Sequence, residues 1–95
     1  MKPPPYKKYF EKAIHHRFPG DGVSIVAQVD GRFAQICPRV AFAATSINPM
    51  DKRLGFSAYF LALIQTLEKR GLGFDEIKEV CLEITYDYVT PKNAL

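Results

Sequence analysis

The dipeptide Asp30-Gly31, set between two short apolar runs, constrains this chain more than any other local feature. Val23-Ser24-Ile25-Val26-Ala27-Gln28-Val29 precedes it and Arg32-Phe33-Ala34-Gln35-Ile36-Cys37 follows it. The first run is β-branched and roughly alternating. Asp-Gly suits a type I′ turn, whose central residues need positive φ. The pattern predicts a β-hairpin.

The flanking segments carry a different period. Tyr6, Phe10, Ala13, Ile14 and Phe18 recur at helical spacing, so residues 6–18 read as a helix. Pro19-Gly20-Asp21-Gly22 ends it. Asn48-Pro49 marks a turn, and Asp51 is the candidate N-cap of a helix over residues 52–70. Gly71 is its expected stop, with Lys69 and Arg70 at the negative end of the helix dipole. After a connector Leu72-Gly73-Phe74, Asp75 reads as the cap of a last helix ended by Pro91, and Lys78 at the third position leaves a capping box incomplete. Ile77, Val80, Cys81, Ile84 and Tyr88 form one apolar face of that helix. Leu82, Tyr86 and Val89 form a second. Between hairpin and helical pair, Val40-Ala41-Phe42-Ala43-Ala44 reads either as a third strand or as a helical turn.

The expectation is therefore an α+β fold, with an N-terminal helix, a β-hairpin, a candidate third strand and a C-terminal helical pair. A chain of 95 residues makes one domain, 1–95, with an extended Pro-rich start over 1–5 and a tail over 92–95. Two cysteines, Cys37 and Cys81, make neither a disulfide framework nor a four-ligand metal site. They read as reduced thiols of a cytoplasmic protein. No apolar signal core follows Met1, and the longest apolar run, Tyr59-Phe60-Leu61-Ala62-Leu63-Ile64, is too short to span a bilayer.

The net charge of +3 is unevenly distributed. Residues 1–20 carry +4, and the stretch 75–88 carries −4. Such runs ordinarily serve as solvated helix faces. The basic first helix also offers Lys7, Lys8, Lys12 and Arg17 to a nucleic acid, with Tyr6, Tyr9 and Phe10 as stacking candidates.

Candidates for chemistry are few. His15 and His16 are adjacent on a helix and point about 100° apart, so they cannot grip one metal from one face. Cys37 becomes a nucleophile only with a base beside it, and His15 or His16 would supply one if the first helix packed on the hairpin. Gly20-Asp21-Gly22 precedes an expected strand and lacks the helix opening of a phosphate loop. No metal site and no cofactor is expected.

Two stretches bear a family likeness. Residues 67–80 are similar to the helix–turn–helix of MerR-type regulators, although the acidic balance of the second helix opposes DNA contact. Asn48-Pro49-Met50-Asp51-Lys52-Arg53-Leu54, Ala58-Tyr59-Phe60-Leu61-Ala62-Leu63, and Glu68-Lys69-Arg70-Gly71 onward to Ile77 resemble the helical part of the aminothiazoline-carboxylate hydrolase family, over about half the chain. That resemblance implies hydrolytic opening of a small sulfur heterocycle. The cysteine-bearing C-terminal part of that family has no counterpart here, so no catalytic residue carries over.

The residues favour an accessory or protein-interaction domain without its own catalytic centre, self-associating or bound to a partner protein through Leu82, Tyr86 and Val89. The alternatives are a truncated hydrolase relative acting on a small molecule near Cys37, and nucleic-acid binding through the first helix. No membrane association is expected.

Overall fold

A computed structural model describes residues 6–39 and 49–90. Its elements, in chain order, are α1 (Lys7–Arg17), α2 (Gly22–Ile36), α3 (Pro49–Lys69) and α4 (Phe74–Val89). Among the described residues there is no strand, so the α+β expectation is corrected to an all-helical fold. Residues 40–48, where a third strand was a candidate, lie outside the described residues, as do the Pro-rich start and the tail.

The hairpin is replaced by α2, and its burial pattern shows why. A strand would place Val23, Ile25, Ala27 and Val29 on one face. Here Val23 is 78% exposed while Ile25, Val29 and Phe33 are buried. The spacing 25, 29, 33, with Val26 and Ile36 packed alongside, is a helical stripe. Gly31 does not take the positive φ that a type I′ turn requires; Gly71 alone does among the described glycines. The β preference of Val and Ile reflects packing context more than backbone preference, and here helical neighbours supply the context.

The other helices keep close to their expected spans. Pro49 opens α3 instead of preceding it, the first-turn position where its missing N–H costs nothing. Asp51 therefore lies inside α3 and is not its N-cap. Gly71 ends the helix in a Schellman arrangement. Its N–H donates to the Glu68 carbonyl at 3.0 Å and the Leu72 N–H to the Leu67 carbonyl at 3.2 Å, with φ of Gly71 at 90°. The N-cap of α4 is Gly73, not Asp75. Glu76, at the third helical position, reaches back to accept from the Gly73 N–H at 3.4 Å.

Pairings between helices give the topology. Lys7 meets Asp30, and His15 packs on Gly22, so α1 and α2 run in opposite directions. Arg32 bonds Gln65 and Arg70 bonds Gln28, so α2 and α3 are also opposed. Phe56 lies against Tyr88 across α3 and α4, and Arg17 and Lys12 meet Glu83 and Asp87 across α1 and α4. The four described helices thus form an up-down-up-down ring, α1–α2–α3–α4, that closes on itself.

Large side chains join α1 to α3 across the middle. Phe10 stacks edge-on against Phe56, Tyr59 and Phe60, with ring centroids 4.7–5.6 Å apart. This aromatic end of the core includes Tyr6 and Phe33. The opposite end is aliphatic, with Ile14, Ile25, Leu63, Leu67, Ile77, Val80 and Ile84 buried. Each fully buried side chain contributes about 1.5–3 kcal/mol relative to exposure, so four short helices acquire in the ring the stability none has alone.

A polar group pins the aromatic end. The Tyr59 hydroxyl donates to Asp30 Oδ1 at 2.5 Å, and Lys7 Nζ donates to Asp30 Oδ2 at 2.9 Å. Tyr59 is 1% exposed, and burial together with the Asp30 carboxylate pushes its pKa far above the ordinary tyrosine value. Asp30, the supposed turn residue, instead ties α1, α2 and α3 together.

Candidate functional site

The opposite charges of α1 and α4 face each other. Arg17 Nε donates to Glu83 at 2.8 Å, His16 lies 3.0 Å from the same carboxylate, and Lys12 donates to Asp87 at 3.1 Å. A longer pair joins Arg17 to Glu79 at 3.7 Å. Desolvation pushes the Glu83 pKa up, but hydrogen bonds and charge from Arg17 and His16 outweigh it and hold the carboxyl below its usual value. The +4 and −4 segments are thus partners along one seam, not two solvated faces. Of the cations considered for nucleic acid, Lys7, Lys12 and Arg17 lie in ion pairs and Lys8 sits over the Tyr9 ring at 5.2 Å.

The candidate nucleophile and bases are far apart. Cys37 is half-buried just past the C-terminal end of α2. His15 packs against Gly22 at the other end, so closely that a Cβ on Gly22 would overlap its ring. At about 1.5 Å per residue, the helix between them is roughly 20 Å long. His16 is held by Glu83 on α4. The Cys37–histidine pair is therefore not assembled. Cys81 is half-buried beside the core, and burial pushes its thiol pKa up, which suits an inert side chain. Among the described residues no group of three His, Cys, Asp or Glu side chains is placed to hold a metal ion.

The outer face of α4 is the most distinctive surface. Leu82, Tyr86 and Val89 are 56%, 66% and 64% exposed, so the second apolar face expected from the sequence is uncovered. Phe74, the first residue of α4, is 78% exposed and belongs to the same face. Sequence reasoning missed it by assigning it to a connector. At about 100° per residue the four side chains fall within an arc of roughly 120°. Asp75, Lys78 and Thr85 are the polar residues in that arc, with Asp75 in the first turn, where an acidic side chain suits the helix N-terminus. Thr85 turns its hydroxyl inward to the Cys81 carbonyl at 2.9 Å, which reduces its demand for water.

Beside Phe74 a shallow groove of about 330 Å³ runs between α3 and α4, floored by Ile64, Leu72, Ile77 and Cys81 and bordered by Glu68 and Lys78. It extends the apolar face toward α3. The inner side of α4 is satisfied by the core through Ile77, Val80 and Ile84 and by the ion-pair seam through Glu83 and Asp87. The outer side therefore has no role in holding the described fold together. No described helix is long and apolar enough to cross a membrane.

Comparison with protein-family models, with curated proteins and with solved structures finds no match, so the functional reading rests on this geometry.

Proposed function

We propose that this chain is a protein-interaction domain whose α4 outer face associates with a second copy of itself. The observation that carries the reading is the alignment of Phe74, Leu82, Tyr86 and Val89, all exposed, on one face of a helix whose opposite side is packed into the core. Scattered exposed apolar residues need no explanation, but four large ones aligned on one helix face do.

The stripe is self-complementary. Phe74 and Tyr86 stand twelve residues apart, about 18 Å along the helix axis. A two-fold axis midway between Lys78 and Leu82 sets two copies of α4 antiparallel. Phe74 of each copy then meets Tyr86 of the other, and the Lys78 stem lies along Leu82 with its ammonium free to reach water. The four side chains expose roughly 500 Å² per copy, taking about 150–250 Å² for a whole aromatic side chain. With the adjoining groove, two copies approach the roughly 1,200 Å² at the lower edge of stable interfaces.

Sedimentation velocity on the full chain and on a Leu82→Glu/Tyr86→Glu double variant tests the reading. The wild type should sediment as a dimer and the variant as a monomer with an unchanged helical circular dichroism spectrum. A Val23→Glu control, on the exposed side of α2, should stay dimeric. A wild type that stays monomeric at every concentration, or a dimer untouched by the double variant, overturns it.

A further inference from the structure

A second surface has the opposite character. Between α2 and α3 lies a cleft of about 630 Å³ bordered by Gln28, Arg32, Gln35, Gln65, Lys69 and Arg70. The helical periods build it: Gln28, Arg32 and Gln35 follow i, i+4, i+7 on α2, and Gln65 and Lys69 follow i, i+4 on α3. Thr66, the one buried polar residue of the described core, contributes to its lining.

The manner in which its cations are held sets this cleft apart. At the α1–α4 seam the cations pair with carboxylates. Here no Asp or Glu lines the walls among the described residues. Arg32 is oriented by two neutral amide oxygens, donating to Gln65 at 2.6 Å and to Gln35 at 3.1 Å. Arg70 donates to Gln28 at 3.0 Å and meets one carboxylate, Asp21, at a longer 3.6 Å. Amide partners fix a guanidinium in direction without neutralising it, so the charge stays available to an incoming anion.

We infer that this α2–α3 cleft binds a small organic phosphate with a hydroxyl-rich body. Three cations without lining acids call for phosphate charge. The three glutamines and Thr66 supply donors and acceptors for hydroxyl groups. Among the described residues no aromatic side chain lines the cleft to stack a nucleobase. The volume falls within the range of small-molecule sites. The same chemistry is presented by a free sugar phosphate and by a phosphoinositide headgroup.

Isothermal titration with fructose 1,6-bisphosphate, inorganic phosphate and unphosphorylated fructose tests the inference. A parallel arm measures cosedimentation with phosphatidylcholine vesicles with and without phosphatidylinositol 4,5-bisphosphate. The bisphosphate should bind at least about tenfold more tightly than inorganic phosphate, and fructose should not bind. Arg32→Gln and Lys69→Gln should each weaken binding about tenfold, the effect of losing one charge-assisted hydrogen bond. Gln65→Glu, which adds a carboxylate to the wall, should weaken it further. Circular dichroism confirms that each variant is folded. Vesicle binding that depends on the phosphoinositide and on Arg32 identifies a headgroup as the source, and free bisphosphate binding alone identifies a soluble one. Two results overturn the proposal: no probe surpassing inorganic phosphate, or affinity unchanged in all three variants. These variants lie off the α4 face and should leave the sedimentation behaviour intact, so this inference and the association reading fail separately.

Discussion

Replacing Gly31 by alanine distinguishes a helical α2 from a hairpin by the sign of a stability change. Gly31 sits inside α2, exposed, with negative φ, and a Cβ built there meets nothing within 4 Å. In a helix interior, alanine is more favourable than glycine by about 0.5–1 kcal/mol, because glycine loses more backbone entropy on folding. For a domain of this size each kcal/mol moves the melting temperature by about 4–8 °C, so Gly31→Ala should raise it by roughly 2–8 °C. A type I′ turn requires positive φ at that position, where a Cβ costs about 1–2 kcal/mol. The hairpin would therefore lose stability. Thermal unfolding followed by far-UV circular dichroism reads the difference. A fall of several degrees would refute the helical placement of Asp30-Gly31 and, with it, the α2–α3 cleft.

Other consequences follow from single contacts. Asp30→Ala removes the acceptor of the buried Tyr59 hydroxyl and the partner of Lys7, and should cost about 2–3 kcal/mol in urea unfolding; a cost under about 0.5 kcal/mol would mean the network contributes nothing. Gly71→Ala forces alanine into the positive φ of the Schellman turn and should destabilise by about 1–2 kcal/mol, whereas an unchanged melting temperature would contradict that turn. Because the Glu83 pKa is lowered in the folded state, its contribution is fully present above the unfolded glutamate value of about 4.3 and is lost as pH falls through the folded value. Stability should decline below about that pH, and Glu83→Gln should flatten this part of the acid limb; identical acid profiles would rule out the Arg17–Glu83 link as its source.

Three of the four described helices were legible because their apolar residues keep helical spacing within the segment, as Tyr6, Phe10, Ala13 and Ile14 do in α1. α2 was not, because its local cues belong equally to a hairpin. What decides between them is distant in sequence: Asp30 bonds Tyr59, 29 residues away, and Lys7, 23 residues away. The same error hid the cleft. A hairpin separates Gln28 from Arg32 and Gln35 on different strands, and only a helix aligns them on one face. Cap positions shifted for a local reason, since Gly73 has no side chain to mark it as an N-cap and Asp75 two residues later carries a stronger capping signal. The second face of α4 was readable from Leu82, Tyr86 and Val89, because that stripe needs no knowledge of the other helices. The pairing of basic α1 with acidic α4 was not, because net charge per segment says nothing about which helices become neighbours.

If the uncovered face of α4 joins two copies of this chain, the mass in solution depends on concentration. Light scattering after size exclusion, over a concentration series of the full chain, tests it most directly. The mass should rise with concentration toward about twice 10.8 kDa and stay there at high salt, because the buried contacts are apolar. A mass fixed at the single-chain value across the series would contradict it.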